Sequence, residues 1–227
     1  HVEAGLLEEV LRPAVDPRSS PELRQLAGAA VQQITGAKPD LYQAEKYLRR
    51  EAEGLLKGEL PYRPDVDDRL ELWSWDEGQQ AVTMSKLPKE DAAALLAARA
   101  ARVLFALQAG DLSAQRLMLV AILQFAKAQG GIDRPLPIQR GTIGGEALAA
   151  GPQVLNQVLA DSLERGKVAA AIAAAELLGQ TGDASVLRSN AGGASPLAEA
   201  MRHSDRRVRL AAALAAVKLA PGESFVG

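Results

Sequence analysis

The chain has no cysteine, which excludes disulfides and thiolate-held metal sites. That absence is compatible with any compartment. Aromatic residues are scarce at 4%, whereas alanine is abundant. Small side chains let helices approach closely, and sheets favour β-branched and aromatic residues, so this balance points to helices. An excess of charge of one sign is missing too, with 26 Lys and Arg against 28 Asp and Glu. The formal net charge of −2 provides no basic field for nucleic acid. Long hydrophobic runs are absent: the most apolar stretch, Ala92–Leu107, is broken by Arg99 and Arg102. A bilayer span needs roughly 20 apolar residues. The chain opens His1-Val2-Glu3 with neither a visible signal peptide nor an initiator methionine. We read it as a fragment or processed form, cytoplasmic or, if an export signal was removed, periplasmic.

What is present is a repeated alanine-rich segment. Ala170–Asp183 aligns with Val208–Pro221, 38 residues later, and a weaker third copy runs from Leu23 to Gly36. A period of this size marks stacked helical units. One unit cannot bury its apolar stripe alone, so neighbours share a continuous core and leave extended helix faces exposed.

Local signals divide the chain further. Gly5–Arg12 reads as a short amphipathic helix stopped by Pro13 and Pro17. Ser20 and Pro21 are start signals for a helix over Pro21–Thr35 that Gly36 closes. Asp40 caps Leu41–Lys57, stopped by Gly58 and Pro61. Helices are then predicted from Pro88 to about Gln108 and over Leu112–Ala128, and at about 146–150, 152–165, 167–179, 196–203 and 205–219. One segment breaks the helical period: Arg69–Trp75 alternates polar and apolar, Asp76-Glu77-Gly78 is turn chemistry, and Gln80–Lys86 follows. Together these predict a β-hairpin. The expected organisation is a helical repeat region with a hairpin insertion over 1–129, a Pro/Gly-rich linker over 130–145, and C-terminal repeats over 146–227.

The C-terminal units resemble HEAT repeats. Ser204-Asp205-Arg206-Arg207-Val208-Arg209-Leu210-Ala211-Ala212-Ala213 is similar to the start of a HEAT second helix. The resemblance assigns Asp205 and Arg209 to that family's inter-repeat Asp–Arg ladder. The Leu23 copy keeps Arg24 but has Ser20 in place of the Asp, and the Ala170 copy has Ala171 in place of the Arg. The pair 88–108 and 112–128 resembles a tetratricopeptide hairpin without its full residue pattern. The resemblance implies an all-α, armadillo-like α-solenoid of antiparallel helix pairs, HEAT/TPR-like, with one small β-hairpin insertion around 69–86. The overall chain is similar to large uncharacterised bacterial HEAT-repeat proteins, a resemblance that implies scaffolding without naming a ligand.

Few residues advertise chemistry. Trp73 and Trp75 are the only tryptophans, and in a strand both face one side. The preferred reading is a clamp that fixes the hairpin to a neighbouring helix, for which Trp73→Ala costs roughly 3 kcal/mol. The alternative is an aromatic platform for a peptide or sugar. Asp65, Asp67, Asp68 and Glu71 lack the spacing of a calcium loop and read as solvated. Arg202, His203, Arg206, Arg207 and Arg209 form a basic cluster beside a helix start, suited to an anion or a nucleic-acid backbone if Arg209 is free. Gly141–Gly145, Gly166-Lys167 and Gly193–Leu197 each lack part of a nucleotide-binding or nucleophile motif. No cofactor, metal or catalytic set is assigned.

The expected function is therefore a non-catalytic scaffold for protein–protein interaction or assembly within a larger protein. The alternatives are a self-assembling coat or array subunit, and a HEAT-type helical enzyme or nucleic-acid-binding module. A protein partner is expected, nucleic acid is disfavoured, and no membrane span is foreseen. Helix Asp205–Ala220 carries more apolar residues than one stripe needs, so self-association through Leu210 and Leu214 is also predicted. The tail Pro221–Gly227 adds Phe225 and Val226 to that end.

Overall fold

The computed structural model describes residues 3–60, 63–76, 78–188 and 194–220, with backbone alone at 3–6, 8, 9, 75 and 76. Predicted features at Pro61, at 189–193, in the tail 221–227 and in the Leu6 and Trp75 side chains lie outside the described residues. The chain is 66% helix, with ten α-helices and one two-stranded antiparallel sheet among the described residues. That is about twice the helical share of an ordinary globular protein. None of these helices is long and apolar enough to cross a membrane.

The chain divides into two compact units, His1–Ala114 and Gln115–Gly227. The first contains α1 (Glu3–Val15), α2 (Pro21–Thr35), α3 (Leu41–Lys57), β1 (Arg69–Asp76), β2 (Ala81–Pro88), α4 (Lys89–Leu107) and the start of α5 (Leu112–Gly130). The predicted caps act as expected. Ser20 Oγ accepts from the Leu23 amide at 3.2 Å ahead of Pro21, and Asp40 Oδ1 from the Tyr42 amide at 3.1 Å. Gly36 and Gly58 close α2 and α3 at φ 76° and 89°, a region that costs other residues strain. Pro13 does not end α1, which runs on to Val15. In the last turn a proline forfeits little of the hydrogen-bond ladder.

Helix α1 packs on α2, α3 and α4, and α3 packs on α4. The core here is built from Val31, Leu48, Leu55, Leu56, Leu96 and Leu104 with many alanines. The hairpin has the predicted alternation and pairs Leu70 with Leu87, Leu72 with Ser85, Trp73 with Met84 and Trp75 with Val82. Both strands pack on α4, which begins directly after β2.

The second unit holds the rest of α5, then α6 (Ile143–Ala149), α7 (Pro152–Glu164), α8 (Val168–Thr181), a 3₁₀ turn (Ala184–Leu187), α9 (Pro196–Ala200) and α10 (Arg206–Leu219). Helix α8 packs against both α7 and α10, while α9 packs against α7 and α10. Stretch 130–145, read as a linker, runs within this unit and is tied down. The Lys127 ammonium donates to the Arg134 carbonyl at 2.6 Å, and the Thr142 hydroxyl reaches the Pro137 and Gln139 carbonyls, each at 2.7 Å.

Candidate interaction surface

Hairpin alternation assigns Leu70, Leu72 and Ser74 to one face of β1 and Glu71 and Trp73 to the other. Leu70 and Leu72 are buried on the side that meets α4. Trp73 is 60% exposed, and Val82 and Met84 on the paired strand are exposed with it. The clamp reading of Trp73 is therefore corrected: the leucines anchor the hairpin, and Trp73 joins an outward apolar patch. Period two identified the two faces but not which one points inward, and the larger side chains lost to the leucines. Exposed aromatic and methionine side chains of this kind are enriched at protein interfaces. Backbone pairing puts Trp75 opposite Val82.

The acidic run braces the base of this hairpin. Asp65 accepts from the amides of Asp67 and Arg69, both at 2.9 Å, and receives the Lys86 ammonium at 2.6 Å. These bonds, the one from Lys86 foremost, hold its carboxyl down at about 2. Asp68 pairs with Lys89 at 3.0 Å. The carboxylates thus tie the loop before β1 to the last residues of β2 and the first of α4.

The basic cluster is partly engaged. Asp205 caps α10 through the Arg207 amide at 2.8 Å and pairs with the Arg207 guanidinium at 3.0 Å, so its own carboxyl lies at about 2. Arg209 donates to the carbonyls of His203 and Ser204 at 2.8 and 2.7 Å. Both ladder candidates thus hold the α9–α10 turn; the Arg209 amide donates to the Asp205 carbonyl at 3.2 Å as in any helix, but among the contacts described their side chains do not pair. His203 Nδ1 accepts from the Asp205 amide at 3.0 Å. Of the five basic groups, Arg202 and Arg206 project freely into solvent.

A second apolar surface lies on α10, where Leu210, Leu214 and Val217 are exposed while Val208, Ala211 and Leu219 are buried. The excess width of the apolar stripe predicted this split. On α2, Leu23, Leu26 and Ile34 are exposed, although they share the helical stripe whose Ala27 and Val31 are buried.

Two polar features escaped the sequence reading. Lys127 is 0% exposed and pairs with Glu176. The signal was there: Lys127 continues the Val120–Leu123 stripe of α5, and Glu176 interrupts the apolar run from Val168 to Leu178 in α8. In the first unit a cleft of about 450 Å³ opens beside Arg12, Asp16, Arg18 and Val103. Its acid is already committed, since Asp16 is held at about 2, chiefly by the Arg18 guanidinium, which also donates to the Ala106 carbonyl at 2.6 Å. No protein-family model, curated protein or solved structure matches the chain.

Proposed function

We propose that this chain is a non-catalytic helical scaffold, a stack of HEAT-like helix pairs that binds protein partners through exposed apolar faces. The observation that carries this reading is the packing of α7–α8 with α9–α10, in which each helix meets its counterpart in the next pair. Stacked repeats use that arrangement to build one core. The outward patch of Trp73, Val82 and Met84 is the surface best suited to a partner. The nucleic-acid reading loses support, because Arg207 and Arg209 are engaged inside their own turn.

Crosslinking in the native organism, followed by mass spectrometry, tests the proposal. We expect stoichiometric crosslinks to other proteins from lysines near the patch, such as Lys86, and their loss in a Trp73→Ser/Met84→Ser variant. Recovery of the chain free of any protein partner at native abundance would overturn it. The second reading, a self-assembling array subunit, is favoured by the exposed Leu210–Val217 face.

A further inference from the structure

Bonds at the base of the hairpin fix the phase of its ladder. The Lys89 amide donates to the Asp68 carbonyl at 2.9 Å, one step beyond the Arg69–Pro88 pair. At Arg69 both backbone groups turn the other way. Its amide donates to Asp65 Oδ1 and its carbonyl accepts from the Asp65 amide, each at 2.9 Å. Antiparallel pairs alternate between bonding to each other and pointing outward. Leu70, Leu72 and Ser74 therefore bond to β2, and the amides and carbonyls of Glu71 and Trp73 point out at the other edge of β1. Among the described residues no group outside the ladder bonds to them.

The two edges of the sheet are not alike. On β2, Pro88 has no amide to offer, and the Lys86 carbonyl already accepts from the Arg69 guanidinium at 3.0 Å. Both devices blunt an edge against further pairing. On β1, Asp65 pairs with Arg69 as the first step of a third strand would, and the next outward groups, at Glu71, are open. The side chains beside this edge favour a cation. Glu71 is exposed, and Lys86, the cation opposite it, is drawn to Asp65 at 2.6 Å. Glu71 thus makes no ion pair among the described contacts. Trp73, on the same face, offers an exposed ring to which an ammonium is attracted.

Resting on the scaffold reading, we infer that the free edge of β1 takes up an extended segment of a partner protein as a third, antiparallel strand, basic on the Glu71–Trp73 face and apolar on the Leu70–Leu72 face. Main-chain bonds to Glu71 and Trp73 give such a strand its hold, and the alternate side chains give it selectivity. Residues directly opposite one another share a face, so lysines beside Glu71 and Trp73 turn their own amides and carbonyls toward β1. The residues between them extend the row of Leu70 and Leu72.

The test titrates the purified, isotope-labelled chain with the blocked hexapeptide Lys-Val-Lys-Val-Lys-Val, to about 1 mM, and follows the backbone amide resonances. Those of Glu71 and Trp73 should shift saturably. The rearranged Lys-Lys-Lys-Val-Val-Val and the acidic Glu-Val-Glu-Val-Glu-Val should bind at least about tenfold more weakly. Methylating the lysine amides, which face β1, should abolish binding, whereas methylating the valine amides, which face away, should preserve it. Trp73→Pro removes an outward donor without touching the β1–β2 ladder. It should bind at least about tenfold more weakly than Trp73→Ser, which keeps that donor. If Trp73→Pro does not fold, the two methylated peptides decide alone. Unmoved Glu71 and Trp73 amides, equal binding of the rearranged peptide, or equal effects of the two methylation patterns would overturn the inference. Shifts at these amides on concentrating the chain without peptide would overturn it too, as the mark of a second copy on the edge. Failure of the peptide leaves crosslinks to other proteins standing, whereas absence of those crosslinks removes the partner and leaves the titration unchanged.

Discussion

The ammonium of Lys127, wholly buried on α5, lies 2.8 and 2.7 Å from the two carboxylate oxygens of Glu176 on α8. With the Arg134 carbonyl at 2.6 Å, three acceptors surround its three protons. Nearby, the Gln124 side-chain oxygen accepts from the Ala170 amide at 3.1 Å, in the first turn of α8. Breaking the ion pair should be costly because it strands the buried ammonium. Glu176→Ala is expected to lose about 3 kcal/mol in chemical denaturation. Replacing both partners together by methionine should lose far less, since no charge is then left uncompensated. Equal losses in the single and double variants would show that shape rather than charge matters there.

The hairpin makes the opposite comparison. Leu72 is buried against the α4 side and Trp73 faces solvent. Leu72→Ala should cost about 3 kcal/mol, as other large-to-small core changes do. Trp73→Ser removes a cross-strand neighbour of Met84 and should cost less than about 1 kcal/mol. The reverse order in thermal melts would restore the clamp reading.

Acid should weaken both units over a defined range. Asp16, Asp65 and Asp205 titrate near 2 in the folded chain, against an ordinary value of 3.8. Each is depressed by folding, so its stabilisation is complete above about 4 and is lost as pH falls toward 2. Glu51 acts in the opposite sense: burial raises its carboxyl, so protonation on acidification favours the folded form. Three groups outweigh one, and the melting temperature should fall steeply between pH 4 and 2. It should stay nearly flat from pH 7 to 5. A steep loss already at pH 6 would contradict this assignment.

At the α9–α10 turn, Asp205→Ala should lower the melting temperature, while Asp205→Asn should retain most of the cap. Converting both Arg206 and Arg207 to Ser should leave the helix formed, because both side chains are exposed. Loss of helical circular dichroism in the double arginine variant would show that these residues support the fold.

Features encoded within a few residues were legible in the sequence. Ser20-Pro21, Gly36, Asp40 and Gly58 mark real helix ends, and the alternation from Arg69 to Trp75 marks a real strand. Features decided by distant packing were not. Nothing local says that Leu70 and Leu72 face α4 while Trp73 faces water, or that α2 exposes Leu26. Arg209 is intermediate: its helix was foreseen, but its guanidinium turns back to two turn carbonyls instead of pairing with Asp205. The Lys127–Glu176 pair required two helices 49 positions apart to be brought together before either charge made sense.

The alanine-built α8 also shapes which changes this protein tolerates. Seven of its eight residues from Ala169 to Glu176 are buried, and all of them but Ile172 are alanine. An alanine has a single methyl to lose, so truncation there opens almost no void. Enlargement is the dangerous direction, because an added methylene must push a whole neighbouring helix aside. Random substitution should therefore be filtered here by side-chain volume more than by polarity loss. A saturation library would be expected to retain glycine and serine in α8 far more often than leucine or phenylalanine.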